Sequence, residues 1–389
     1  MKTVLVLLCV LSCAGYCAEV KLPPNAALQY WQAFSFMSDI PKEDRNLMGL
    51  AWDKIPADKR PLFAQKLHVV MNFLKRGAQI SQCDWGIDMK RDGPGTLMPH
   101  LGKCREIARA GCLVARNHFE NGRHKESVDL IFEVLTLARH TSSGDGSLIS
   151  KLVEVAISSI AIDALARQIP QLPPVELAQI EQRFKALPEG LPFTQTMRGE
   201  RQMAHYIKRF FEDPKVRQEA GKEVVDQFKE FEQLLGTPTA REEQFKMLDA
   251  FYTEVEAALA LPYVEFEAAM KAIEPRIKNA GELAQLLWPA MTRSRQSVEI
   301  LNIQIAMTHA ATQIVLKGEG ALAQIPDPHG KGPFTMKKLA NGFELVSEFK
   351  KADGSQVSLS FGIAPVKPQS AVKPPAPPAA VQQKAAGEF

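Results

Sequence analysis

Residues 148 to 168 read LISKLVEVAISSIAIDALARQ, and their reading decides the fold. Apolar side chains point in nearly every direction around a helical projection, the pattern of a helix enclosed by other helices. Lys151, Glu154 and Asp163 are expected at its least covered edge. Pro170, Pro173 and Pro174 end it, because proline lacks the N–H that would extend the helical ladder. A short amphipathic helix then follows over Val175 to Leu187.

Immediately upstream lies a helical pair. Leu101, Ile107, Ala108, Cys112, Leu113 and Phe119 keep one helical period, and Asn121-Gly122 breaks it. Val128, Ile131, Phe132, Leu135 and Leu137 resume it as far as His140. Two helices joined by so short a turn form an αα-hairpin. A clean 34-residue recurrence is absent, which argues against a tetratricopeptide array. Earlier still, 25 to 36 and the stretch opened by Pro61 are helical. Between them and His100, residues 83 to 99, CDWGIDMKRDGPGTLMP, have the glycines, aspartates and prolines of an ordered loop.

Downstream, helical patterns run from about 196 to 316. Tyr206, Phe210 and Phe211 form an aromatic stripe that reads as packing, because nearby acidic residues dilute the positive charge that single-stranded nucleic acid requires. After Gly318 the period becomes two. Pro333 to Met336, Phe343 to Ser347 and Gln356 to Phe361 read as a small antiparallel element, with Asn341-Gly342 as a tight turn. The expected class is mainly α, a multi-helix bundle of αα-hairpins with a small C-terminal antiparallel β element.

Composition agrees with a packed protein: 389 residues, 46% hydrophobic and 23% charged, which excludes disorder as the main state. A net charge of +3 is too small to imply nucleic acid as partner. Residues 1 to 17 read as a signal peptide, with a basic start and an apolar stretch from Val4 to Ser12 too short to anchor in a bilayer. Alternatively, Val10-Leu11-Ser12-Cys13 resembles a lipobox and makes Cys13 a lipidation site, or the leader stays uncleaved; any membrane attachment depends on this N-terminal end. The expected organisation is therefore leader 1–17, a helical domain 18–317 with a subdomain boundary near 188–195, a β appendage 318–362, and a disordered Pro/Ala-rich tail 363–389. Export to the periplasm or the extracellular space makes a disulfide between Cys83 and either Cys104 or Cys112 plausible, while three buried thiols are the alternative.

Cys83-Asp84-Trp85-Gly86, Pro99-His100-Leu101, Arg105 through Ala110 and Ala138-Arg139-His140 resemble uncharacterised exported helical proteins of planctomycetes and related bacteria. Arg198-Gly199-Glu200-Arg201 and the element from Asp327-Pro328 to Phe343 extend that resemblance to about two thirds of the chain. It implies a helical fold and export, and carries no activity.

Two groups of polar residues are candidates for function. Asp84, Asp88, His100 and His140 converge if the hairpin returns His140 to the end that holds His100, with the 83 to 99 loop above them. Such a set holds a divalent metal or supplies acid/base chemistry near neutral pH. The competing use is structural: Asp84 accepts backbone hydrogen bonds in its loop, the histidines pack at helix ends, and Trp85 plugs the bundle. Asp163, Glu200, Arg201 and His205 form the second group, as an inter-helix ion pair or a polar pocket. No GxSxG, HExxH, phosphate-loop or dinucleotide motif is present, and no resident cofactor is expected beyond such a metal. The leading expectation is a non-catalytic scaffold or interaction protein of the cell envelope that engages an envelope protein through its tail. A helical protein binding a small ligand is the alternative, and a metal-dependent hydrolase a further one.

Overall fold

The computed structural model describes residues 23–362 apart from 51, 94–95, 145, 221, 235 and 289. The leader, Cys13 and the tail expected from sequence lie outside the described residues. Helices come in chain order as α1 (Ala26–Ser38), α2 (Lys42–Leu47), α3 (Arg60–Lys66), α4 (His68–Ala78), α5 (Met89–Asp92), α6 (Pro99–Glu120) and α7 (His124–Thr141). There follow α8 (Leu148–Ala166), α9 (Pro174–Lys185), α10 (Phe193–Glu212), α11 (Pro214–Glu219), α12 (Lys222–Leu234) and α13 (Pro238–Leu259). The last helices are α14 (Tyr263–Lys278), α15 (Glu282–Leu287) and α16 (Met291–Lys317), before strands β1 (Thr335–Leu339), β2 (Gly342–Lys350) and β3 (Gln356–Phe361). The protein is mainly α with a small C-terminal antiparallel sheet, and no described helix is long and apolar enough to cross a membrane.

Helix α8 occupies the centre, packing against α6, α7, α10, α16 and β3. Its all-round apolar character follows from having neighbours on so many sides. The α6–α7 pair forms the hairpin expected from Asn121-Gly122, and α1 with α4 closes its open side. At α4 the absence of a side chain is essential. A Cβ on Gly77 would stand 2.4 Å from the ring of Tyr30, so only glycine admits that buried ring. The buried core runs without interruption from α1 to β3.

The sheet has the order β1-β2-β3, antiparallel throughout. Its first turn sits on Ala340 and Asn341, since Leu339 pairs with Gly342, one residue earlier than the Asn-Gly expectation. In β3, Val357, Leu359 and Phe361 alternate inward toward α8 and α16, and the Gly362 N–H donates to the Ala166 carbonyl of α8 at 3.2 Å. A buried Asp327 organises the entry to the sheet: its carboxylate accepts from Ser347 Oγ, the Glu348 N–H and the His329 N–H. His329 in turn meets Glu299 of α16 at 2.6 Å, with Arg295 on the other carboxylate oxygen. The appendage is thus fastened to the body through polar contacts as well as apolar burial.

Candidate functional site

Asn25 clasps the loop before α5. Its side-chain oxygen accepts the Ala27 N–H, capping α1, and also the Asp84 N–H at 2.9 Å, while its amide donates to the Asp84 carbonyl at 2.8 Å. Asp84 then turns back on itself, its carboxylate accepting the Gly86 N–H at 2.8 Å. Gly86 has φ +71, a left-handed conformation that glycine adopts without penalty. This local geometry aims Trp85 inward.

Trp85 is buried against four aromatic neighbours. It stacks on His100 with ring centres 4.5 Å apart, on Tyr30 at 5.8 Å and on Phe34 at 6.0 Å, and meets the edge of Trp31. Its indole N–H donates to the His140 carbonyl at 2.7 Å. The Tyr30 hydroxyl and His140 Nδ1 lie 2.8 Å apart. Burial drives the Tyr30 phenol well above its ordinary range, so this hydroxyl stays protonated and shares the hydrogen bond with a neutral imidazole.

Both histidines are held neutral. Burial pushes His100 and His140 down to about 4, with the backbones of Thr141 and Ser81 respectively opposing part of the effect. The hairpin therefore brings His100 and His140 around one indole, as its return path requires. The two aspartates do not join them. Asp84 serves its own turn, and Asp88 accepts the Arg91 N–H at the start of α5. Among the described residues no group of three or more His, Cys, Asp or Glu is arranged to hold a metal ion. The arrangement is that of a polar-tipped aromatic plug.

Of the two alternatives for the cysteines, the structure has the thiols and not the disulfide: Cys83, Cys104 and Cys112 are free. Cys104 interacts with the Thr141 side chain, Cys83 with Ser143, and Cys112 faces the Ile160 carbonyl of α8. Burial pushes Cys83 and Cys112 up to about 12 and Cys104 higher still.

The second group is divided by its helix faces. Glu200 points back to α8 and accepts the Leu148 N–H at 3.0 Å, supplementing the Ser147 cap. Arg201 and His205 turn toward α13, where both meet Asp249, at 3.2 and 3.5 Å. Arg201 also reaches Thr253 and lies over the Tyr252 ring. His205 and Asp249 border a shallow cleft of about 220 Å³ with Lys208 and Lys246. Asp163 is remote from the other three in its contacts, forming an exposed pair with Arg167 one turn along α8.

Two buried features escaped the reading of the sequence. Lys151 and Glu154 are not at an exposed edge of α8 but inside, Glu154 being 0% exposed. The Glu154 carboxylate accepts from Arg139 at 2.7 Å, Lys151 at 2.8 Å and Ser142 Oγ. Arg139 and Ser142 come from the end of α7, so the ion cluster closes the α7–α8 corner, and Gly190 passes directly over it. The i,i+3 spacing of Lys151 and Glu154 was the visible signal, while the third charge came from another helix. The other feature is Glu133, a half-buried carboxyl on α7 that burial raises from its ordinary 4.5 to about 7, with Lys75 opposing.

Comparison of the chain with protein-family models, with curated proteins and with solved structures finds no match.

Proposed function

We propose that the protein is a non-catalytic interaction protein of the cell envelope, with the helical body acting as a rigid platform. The observation that carries this reading is the outer face of α1. Leu28 is 60% exposed and Trp31 38% exposed on successive turns, while the same helix is locked from behind by Trp85. A large aromatic held in place before binding loses little conformational freedom on contact, which is why tryptophan so often anchors interfaces. The histidines that would have served chemistry are occupied as neutral packing groups around the plug. Assignment to the envelope rests on the leader-like residues 1 to 17 and on the resemblance to exported helical proteins.

In-cell crosslinking of the tagged full chain with peptide-level mapping tests the reading. The expected result is a reproducible partner whose crosslinks fall on α1 and disappear in Trp31→Glu. A partner lost only when the chain ends at Gly362 transfers binding to the tail. Absence of a partner with the wild-type chain overturns the proposal.

A further inference from the structure

A second surface lies between α2 and α6, on residues that the aromatic plug does not use. Lys42, Arg45 and Asn46 of α2 face Gly102, Arg105, Glu106 and Arg109 of α6 across a cleft of about 470 Å³. Positions 102, 105, 106 and 109 share one face of a helix, and 42, 45 and 46 share another, so the cleft is made by two helix faces of matching sign. Four cations confront a single carboxylate.

That carboxylate is already shared. Glu106 lies 3.6 Å from Arg45 and 3.5 Å from Lys103, which sits beside the cleft on α6. No carboxylate among the described residues pairs with Lys42, Arg105 or Arg109, and the Nε of Arg45 is buried without a hydrogen-bond partner. Elsewhere on this surface basic side chains are commonly paired with an acid one helical turn away, as Arg116 is with Glu120 and Arg167 with Asp163. Gly102 borders open space on the cleft side, where a Cβ would meet nothing within 4 Å.

We infer that this cleft binds a ligand bearing two phosphates or a diphosphate. Uncompensated guanidinium groups present paired donors that match the oxygens of a phosphate. A net excess of three positive charges among the lining side chains favours a multiply charged anion over a single carboxylate. The overall charge of +3 conceals this segregation, because the acidic residues are distributed elsewhere. The ligand source is either a small soluble phosphate compound or the headgroups of an anionic lipid surface, which share this chemistry.

Isothermal titration of the full chain with pyrophosphate at low ionic strength tests the site, alongside flotation with vesicles of phosphatidylglycerol or of phosphatidylcholine. The expected result is saturable pyrophosphate binding that weakens about tenfold or more in Arg105→Gln/Arg109→Gln. The charge-matched Lys215→Gln/Lys222→Gln, far along the chain on exposed positions, is expected to bind as the wild type does. Flotation with phosphatidylglycerol that is lost in the arginine variant assigns the ligand to a lipid headgroup, whereas pyrophosphate binding without flotation assigns it to a soluble compound. Two results overturn the inference: neither probe binding the wild type, or both double variants losing binding equally. Circular dichroism of the exposed arginine variant separates loss of binding from loss of fold.

Discussion

Replacing Glu133 with glutamine should stabilise the protein, and more so at neutral pH than in mild acid. Burial raises the folded-state pKa of Glu133 from 4.5 to about 7, so its favourable contribution is present below its ordinary value and lost as the pH rises through 7. His100 and His140 act with the opposite sign. Their folded-state values near 4 lie below the ordinary 6.5, so their contribution is complete above 6.5 and lost as the pH falls toward 4. Linkage gives a loss of about 2 kcal/mol per histidine between pH 7 and pH 5, offset by a gain of about 2 kcal/mol from Glu133. Wild-type stability should therefore change by only about 1 to 2 kcal/mol from these groups, while the variant should lose about 4 kcal/mol over the same interval. Relative to wild type, Glu133→Gln should gain about 2 to 3 kcal/mol at pH 7 and about 1 kcal/mol at pH 5. Urea unfolding followed by helical circular dichroism at both pH values measures the difference. A variant no more stable than wild type at pH 7, or equally stabilised at both, would refute the reasoning.

Trp85→Ala removes three ring stacks and the bond to the His140 carbonyl, and should cost about 3 to 5 kcal/mol in the same unfolding assay. Gly199→Ala should lower the melting temperature although alanine is the better helix former, because its Cβ would stand 2.3 Å from the Gly146 carbonyl oxygen. At Gly102 the same change meets open space and should raise stability by up to about 1 kcal/mol. Glu154→Ala strands Arg139 and Lys151 in the α7–α8 corner and should cost about 3 to 5 kcal/mol, whereas Asp163→Ala, whose pair with Arg167 is exposed, should change the unfolding midpoint little.

What sequence revealed and what it concealed divide along a physical line. The central position of α8 was legible because its apolar residues leave no polar stripe, and the α6–α7 hairpin because Asn121-Gly122 interrupts an otherwise continuous period. Trp85 in a glycine- and aspartate-bearing loop pointed to an inserted ring, since the Asp84 turn is made within three residues. The Asn25 clasp on that turn was not legible, because 59 residues separate the partners. The burial of Lys151 and Glu154 was hidden for a similar reason: an i,i+3 pair on a helix usually faces water, and only Arg139 and Ser142 from α7 make its enclosure stable. The second polar group was read as one set because its members are close in sequence or face. Adjacent residues on a helix diverge by about a quarter of a turn or more, which sent Glu200 to α8 and Arg201 to α13.

The protonation state of His100 and His140 distinguishes a structural plug from a site that handles protons or metal. Nuclear magnetic resonance titration of the histidine rings in the folded full chain, with and without zinc, reads that state. Both rings should remain neutral on acidification until about pH 4, with His140 protonated on Nε2 and bonded through Nδ1 to Tyr30, and neither should shift with the metal. Titration of either ring near its ordinary 6.5 in the folded protein, or a zinc-dependent shift of both, would contradict it.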